Sequence, residues 1–155
     1  MKPFEITKTK DFPPRTGEAS LTVKIERTAF HVEEDIKIHV ICNNFSPKTI
    51  YSLKFYLKVI EDKYHYSLSH DKMKSERTVK KLNAHVFTDN VFPLKAGLKW
   101  RGDYFYKLEA IGGLLPSKQD LGVFTREYEL CVSATFKKAS NLKVSVPILL
   151  KEKHK

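Results

Sequence analysis

Residues 36–60 read IKIHVICNNFSPKTIYSLKFYLKVI, and the alternation in this stretch decides the fold. Ile36, Ile38, Val40 and Cys42 occupy every second position, so one face of a β-strand collects them. Asn43 and Asn44 tolerate turn conformations and are expected to end that strand, with Phe45–Lys48 completing a loop. A second alternating run follows. Leu53, Phe55, Leu57 and Val59 line its inner face, Lys54 and Lys58 point outward, and Tyr64 and Tyr66 prolong it as sheet-favouring aromatics.

The same period recurs on both sides. Leu21, Val23 and Ile25 alternate with Thr22, Lys24 and Glu26, and the segment TAFHVEED then reads as a turn. SHDKMKSERTVKK, residues 69–81, is polar and basic and reads as an exposed loop leading into a strand near Thr78–Leu82. Short strands are expected over Val86–Phe92 and Trp100–Leu108. IGGLLPSKQDLG reads as a long ordered loop, because Gly112, Gly113 and Pro116 oppose regular structure. Tyr128, Leu130, Val132, Ala134 and Phe136 give the clearest inner face. KKASN then turns the chain into Leu142, Val144, Val146 and Ile148. Pro147 has outward parity and no N–H to donate, which places this last strand at a sheet edge. Strands at this spacing, without a helix of ten residues or more, predict an all-β, immunoglobulin-like antiparallel sandwich. It would span residues 19–150, with residues 1–18 as a linker or extended arm and 151–155 as a basic tail.

The chain has 155 residues, enough for one domain with a core that needs no metal or disulfide. With 41% hydrophobic and 30% charged residues it is globular in composition rather than disordered. No apolar run approaches the roughly 18 residues of a membrane span. MKPFEITKTK is too charged for the apolar centre of a secretory signal, so the expected location is the cytoplasm. Cys42 shares the inner parity of Ile36 and Val40, whereas Cys131 lies opposite the face of Leu130 and Val132. Side chains on opposite faces do not converge on a disulfide, and two free thiols are expected.

The chemistry of enzymes has no local signature here. His31, His39, His65, His70, His85 and His154 form no close set with Cys, Asp or Glu, and no metal is expected. Glu33–Asp35 lacks the further ligands of a calcium loop. No nucleophile elbow occurs, and IGGLLPS has neither the lysine nor the helix of a phosphate loop. The sequence therefore predicts no catalytic residue and no cofactor. The formal net charge of +10 instead suits anionic partners. Lys72, Lys74, Arg77, Lys80 and Lys81 form the local cluster best suited to such a contact, with Lys151, Lys153 and Lys155 as a second group. No recognition helix or zinc finger turns this charge toward nucleic acid.

LTVKIERTAFHVEEDIKIHVICNNFSPKTIYSLKFYLK resembles the opening of an arrestin C-terminal domain, with its acidic turn, apolar strand and asparagine turn. WRGDYFYKLEAIGGLLPSKQDLGVFTREYELCVSATFKKASNLKVSVPILL resembles the arrestin-domain-containing, or alpha-arrestin, pattern. The positions that carry it are Trp100, Pro116, Ser117, Arg126, Tyr128, Val146, Pro147 and Ile148. The resemblance implies a non-enzymatic adaptor linking cytoplasmic parts of receptors or transporters to trafficking, endocytic or signalling machinery, and the basic charge offers the alternative of a module that binds anionic lipid or another polyanion. The retromer subunit of arrestin fold is a second relative, less similar over residues 100–150. The N-terminal domain of the family is not present in this sequence, so the expectation is an excised half or a single-domain relative. Pro13–Thr16 reads PPRT and lacks the tyrosine of a Pro-Pro-x-Tyr ligase motif. Trp100 is expected in the core, and Tyr51, Tyr56, Tyr64 and Tyr66 near sheet rims.

Overall fold

The computed structural model describes residues 3–67, 72–87, 91–120 and 122–153. Ten strands form among the described residues. They are β1 (Phe4–Asp11), β2 (Glu18–Ile25), β3 (Ala29–His31), β4 (Asp35–Asn44), β5 (Ile50–Ser67), β6 (Lys72–Phe87), β7 (Leu98–Lys107), β8 (Lys118–Asp120), β9 (Phe124–Phe136) and β10 (Leu142–Lys151). A four-stranded sheet runs β1-β2-β4-β7, and a second sheet runs β3-β10-β9-β5-β6 with β8 added beside β9. The two inner faces carry the residues that the alternation selects. Leu21, Val23, Ile36, Ile38 and Val40 meet Leu53, Phe55, Leu57, Leu130 and Val132, and all are fully buried. Each such side chain contributes roughly 1.5–3 kcal/mol by leaving water. The all-β sandwich is what the periodicity predicts.

Several local readings need correction. TAFHVEED is more than a turn: Ala29–His31 pairs in parallel with Leu149–Lys151, the one parallel ladder among antiparallel ones. Asn43 and Asn44 still belong to β4, and Asn44 is buried. Lys72–Arg77 is strand rather than loop, in register with Ser67–Asp62 of β5. Val86–Phe92 is not a separate strand; Val86 and Phe87 end β6, and residues 88–90 lie outside the description. The segment read as an arm carries β1, which adds to the edge of the first sheet through Phe4↔Ile25 and Ile6↔Val23.

Polar groups fix the corners. Asn44 donates through Nδ2 to the carbonyls of Lys48 and Leu94, both at 2.8 Å, and its Oδ1 accepts from the Ser46 hydroxyl at 2.6 Å. Gly17 joins β1 to β2 at a φ of +102°, and a Cβ there would lie 2.2 Å from the Phe45 carbonyl oxygen. Only glycine fits both conditions. The Tyr106 hydroxyl lies 3.1 and 2.9 Å from the carbonyl oxygens of Leu82 and Asn83. It pins the point where the β5–β6 register slips and Asn83 takes a φ of +45°. Burial pushes the pKa of that phenol well up, so it stays a donor at all ordinary pH.

β10 is not the edge strand expected, since it lies between β9 and β3, but Pro147 pairs only with Glu129 of β9, and β3 joins from Leu149. The proline therefore sits where the other side of β10 has no strand, as its missing N–H requires. Cys42 and Cys131 are free and buried. Cys42 is in the core, where burial pushes its thiol up to about 12, while Cys131 lies outside the core cluster on the opposite face of its sheet.

At the β3 corner Arg27 forms an ion pair with Glu34, whose Oε1 also accepts from the His31 backbone N–H at 2.8 Å. The Arg27 hydrogen bond first, and the His31 amide second, lower the Glu34 carboxyl from 4.5 to about 2. A folded value below the unfolded one stabilises above pH 4.5 and is lost as pH falls toward 2. With the Arg27 side chain 42% exposed, solvent screening limits the effect to roughly 1 kcal/mol. Urea titrations should find Glu34→Gln less stable than the parent by about that amount at pH 7, with the gap closing near pH 2. An unchanged gap across that range would exclude the pair as its source.

Candidate functional site

Two surfaces of the second sheet hold the charged residues. The first is an arm. β5 and β6 are 18 and 16 residues long, and they continue together past the end of the sandwich. β9 supports β5 only as far as Phe124, opposite Lys63. Residues 74–81 of β6 are exposed on both faces, and β6 has no strand on its outer side. The cluster predicted from sequence lies on this strand. Lys74, Lys80 and Lys81 are exposed; the side chain of Lys72 lies outside the description. Arg77 is engaged, with its Nε and Nη2 donating to the two carboxylate oxygens of Asp62 at 2.8 and 3.0 Å. The Arg77 guanidinium holds the Asp62 carboxyl below the usual range. Glu61 is likewise matched by Arg126, at 2.9 Å, and Arg126 also donates to the Pro116 carbonyl at 3.1 Å. That bond and the one from the Tyr128 hydroxyl to the Leu115 carbonyl hold the loop after Ile111 against the sheet.

The second surface is the outer face of the same sheet. The register brings Lys54 and Lys58 of β5, Lys81 of β6 and Lys143 of β10 around Tyr56. The ammonium groups of Lys81 and Lys143 lie 5.0 and 5.7 Å from the centre of the Tyr56 ring, which is buried although it points away from the core. The lysine stems cover the ring while their charged ends stay in water. Burial raises the Tyr56 pKa, and the hydrogen bond to Tyr56 raises that of Lys143. Lys58 is matched by Glu129 at 3.6 Å. Sequence reasoning selects Lys81 for this contact and misses Lys54, Lys58 and Lys143. Their outward parity was the available signal, but convergence depends on which strands are neighbours.

Catalytic chemistry finds no constellation among the described residues. No group of three or more His, Cys, Asp and Glu side chains could hold a metal ion. His39 points outward and its Nδ1 lies 2.8 Å from Asp103, while His70 and His154 lie outside the description. A notch of about 380 Å³ opens where β10 leaves β9, lined by Ser117, Gln119, Glu127 and Leu149. It contains no nucleophile paired with a base. Trp100 is half-buried, with its ring 5.0 Å from Phe87 and 5.7 Å from Phe92, and so extends the core as expected. Tyr51 is exposed at the loop end, Tyr56 is buried, and the Tyr66 side chain lies outside the description. No described helix is long and apolar enough to cross a membrane.

Residues 15–153 match the family described as arrestin (or S-antigen), C-terminal domain. No curated protein matches the chain.

Proposed function

The chain belongs to the arrestin family through its C-terminal domain, and on that premise we propose that it is an adaptor domain. It binds cytoplasmic parts of membrane proteins, receptors or transporters, in intracellular trafficking, endocytosis or signalling. Arrestin domains are generally non-enzymatic and suggest protein partners. The observation that carries the reading is the family match over nearly the whole described sandwich, which itself offers open strand edges and no described catalytic group. A location in the cytoplasm, peripheral to plasma membrane or endosomes, follows from the same reading.

The test is a binding screen of the full chain against synthetic cytoplasmic tails of receptors and transporters, each phosphorylated and unphosphorylated. Saturable binding to a subset of tails is expected. Failure to bind any tail, by a chain whose circular dichroism is that of a β-sandwich, refutes the adaptor reading.

A second reading, direct recruitment to anionic lipid, is favoured by the lysines gathered around Tyr56. Sedimentation with vesicles containing phosphatidylserine should then weaken steeply as salt rises, because screening shortens the reach of each charge to about 10 Å at 0.1 M. Lys54→Glu combined with Lys143→Glu should abolish it. Binding that ignores salt, or survives both changes, removes this reading.

A further inference from the structure

We propose that the outer edge of β6, from Lys74 to Lys81, takes up an extended protein segment that alternates acidic with apolar residues and adds it to the sheet as a further strand. The proposal rests on the adaptor reading and specifies both the docking edge and the partner chemistry.

The edge is open by construction. β6 ends its sheet, so alternate N–H and C=O groups between Lys74 and Lys81 have no strand to pair with. The open run ends at the bulge near Asn83, where the Tyr106 hydroxyl takes the carbonyls of Leu82 and Asn83. The eight residues before it span about 26 Å, the length of a segment of seven or eight residues. β1 and β7 are the edges of the other sheet. β3 and β8 are only three residues long.

Side chains on the two faces of this edge differ in kind. Lys74, Glu76, Thr78 and Lys80 share one face with Lys63 of β5, and Ser75, Arg77, Val79 and Lys81 share the other. On the first face Lys63, Lys74 and Lys80 have no ion-pair partner among the described residues, against Glu76 alone. On the other, Arg77 is neutralised by Asp62, Lys81 at the far end lies over the Tyr56 ring, and Val79 between them is 50% exposed opposite Ile60. A strand with carboxylates on one side and valine-like residues on the other therefore complements both faces. Lysines on a free edge also discourage self-association, since like charges face each other across such a pair. The same charges that repel a second copy attract an acidic strand. Main-chain bonds would give affinity and the alternating side chains specificity.

The probe is a fluorescein-labelled ten-residue peptide alternating Glu and Val, titrated by anisotropy into the full chain. Two comparison peptides are an alternating Lys-Val sequence and the Glu-Val peptide N-methylated at alternate residues. N-methylation keeps every carboxylate but removes the donors a ladder needs, so a loss of at least about tenfold is expected, as for two or more missing hydrogen bonds. Lys74→Glu with Lys80→Glu should weaken binding by a similar factor, and Lys24→Glu, exposed on β2 of the other sheet, should not change it. These exposed positions leave the core intact, and circular dichroism verifies that.

Equal binding of the N-methylated peptide, or of the Lys-Val peptide, overturns the proposal. So does a dimer of the chain that the Glu-Val peptide dissociates, which would assign the edge to a second copy. Competition by phosphatidylserine vesicles with no N-methylation effect would assign the charges to lipid and overturn it as well. If receptor tails bind while the Glu-Val peptide does not, the adaptor reading stands and the edge proposal falls; the reverse pattern separates them the other way.

Discussion

Phe55→Ala should lower the free energy of unfolding by roughly 3–5 kcal/mol, the range for emptying a large aromatic site in a core. Phe55 is fully buried, stacks on Tyr104 at 4.1 Å with the rings 14° apart, and meets the edge of Phe87 at 6.3 Å. Truncation thus loses the area of one ring and leaves two others facing a void. The three rings come from β5, β7 and β6, so the void opens at the seam between the sheets. A marginal domain holds only about 5–15 kcal/mol in total, and this one change removes a large share of it. Urea unfolding followed by tryptophan emission is a direct readout, because Trp100 packs on Phe87. A loss below about 1 kcal/mol would mean that the seam collapses around the gap.

The second large effect is expected at Asn44→Ala, at roughly 3 kcal/mol, because several hydrogen bonds of one buried amide are lost together. The Leu94 carbonyl keeps only the Ile50 N–H and the Lys48 carbonyl only the Ser46 hydroxyl, while the Ser46 hydroxyl and N–H lose the Asn44 Oδ1, at a site where Asn44 is 0% and Ser46 3% exposed. Asn44→Asp separates the two halves of the network. The carboxylate still accepts from Ser46 but cannot donate to either carbonyl, so it should be at least as destabilising as alanine at pH 7. Stability of the aspartate variant close to that of the parent would show that the donated bonds contribute little.

The sandwich was legible because its inner faces obey a period of two with few exceptions. Leu53–Val59 and Tyr128–Phe136 state which side is dry, and no competing helical spacing interrupts them. Legibility ends where burial ends. From Lys74 to Lys81 both faces of β6 meet water, so alternation carries no apolar signal and a strand reads as a polar loop. What makes it a strand is pairing with distant residues, Arg77 with Asp62 above all. Asn44 misled in another way. Its side chain does build a turn, but by bonding forward to Lys48 and Leu94 from within the strand. Tyr56 defeats the parity rule outright. It points away from the core and is buried all the same, by the stems of Lys81 and Lys143. Among the predicted basic residues, Lys74, Lys80 and Lys81 remain available for a partner and Arg77 does not, a division set by register and invisible to composition.

The short parallel ladder between β3 and β10 ties together residues that lie nearly the whole chain apart. Contacts of such long sequence separation must wait for a large loop to close, and proteins rich in them fold in milliseconds to seconds rather than microseconds. During synthesis Arg27–Glu34 leaves the ribosome long before Leu149–Lys151. The early strands therefore spend that interval with an unfilled docking position, and β10 acts as the latch that completes the second sheet.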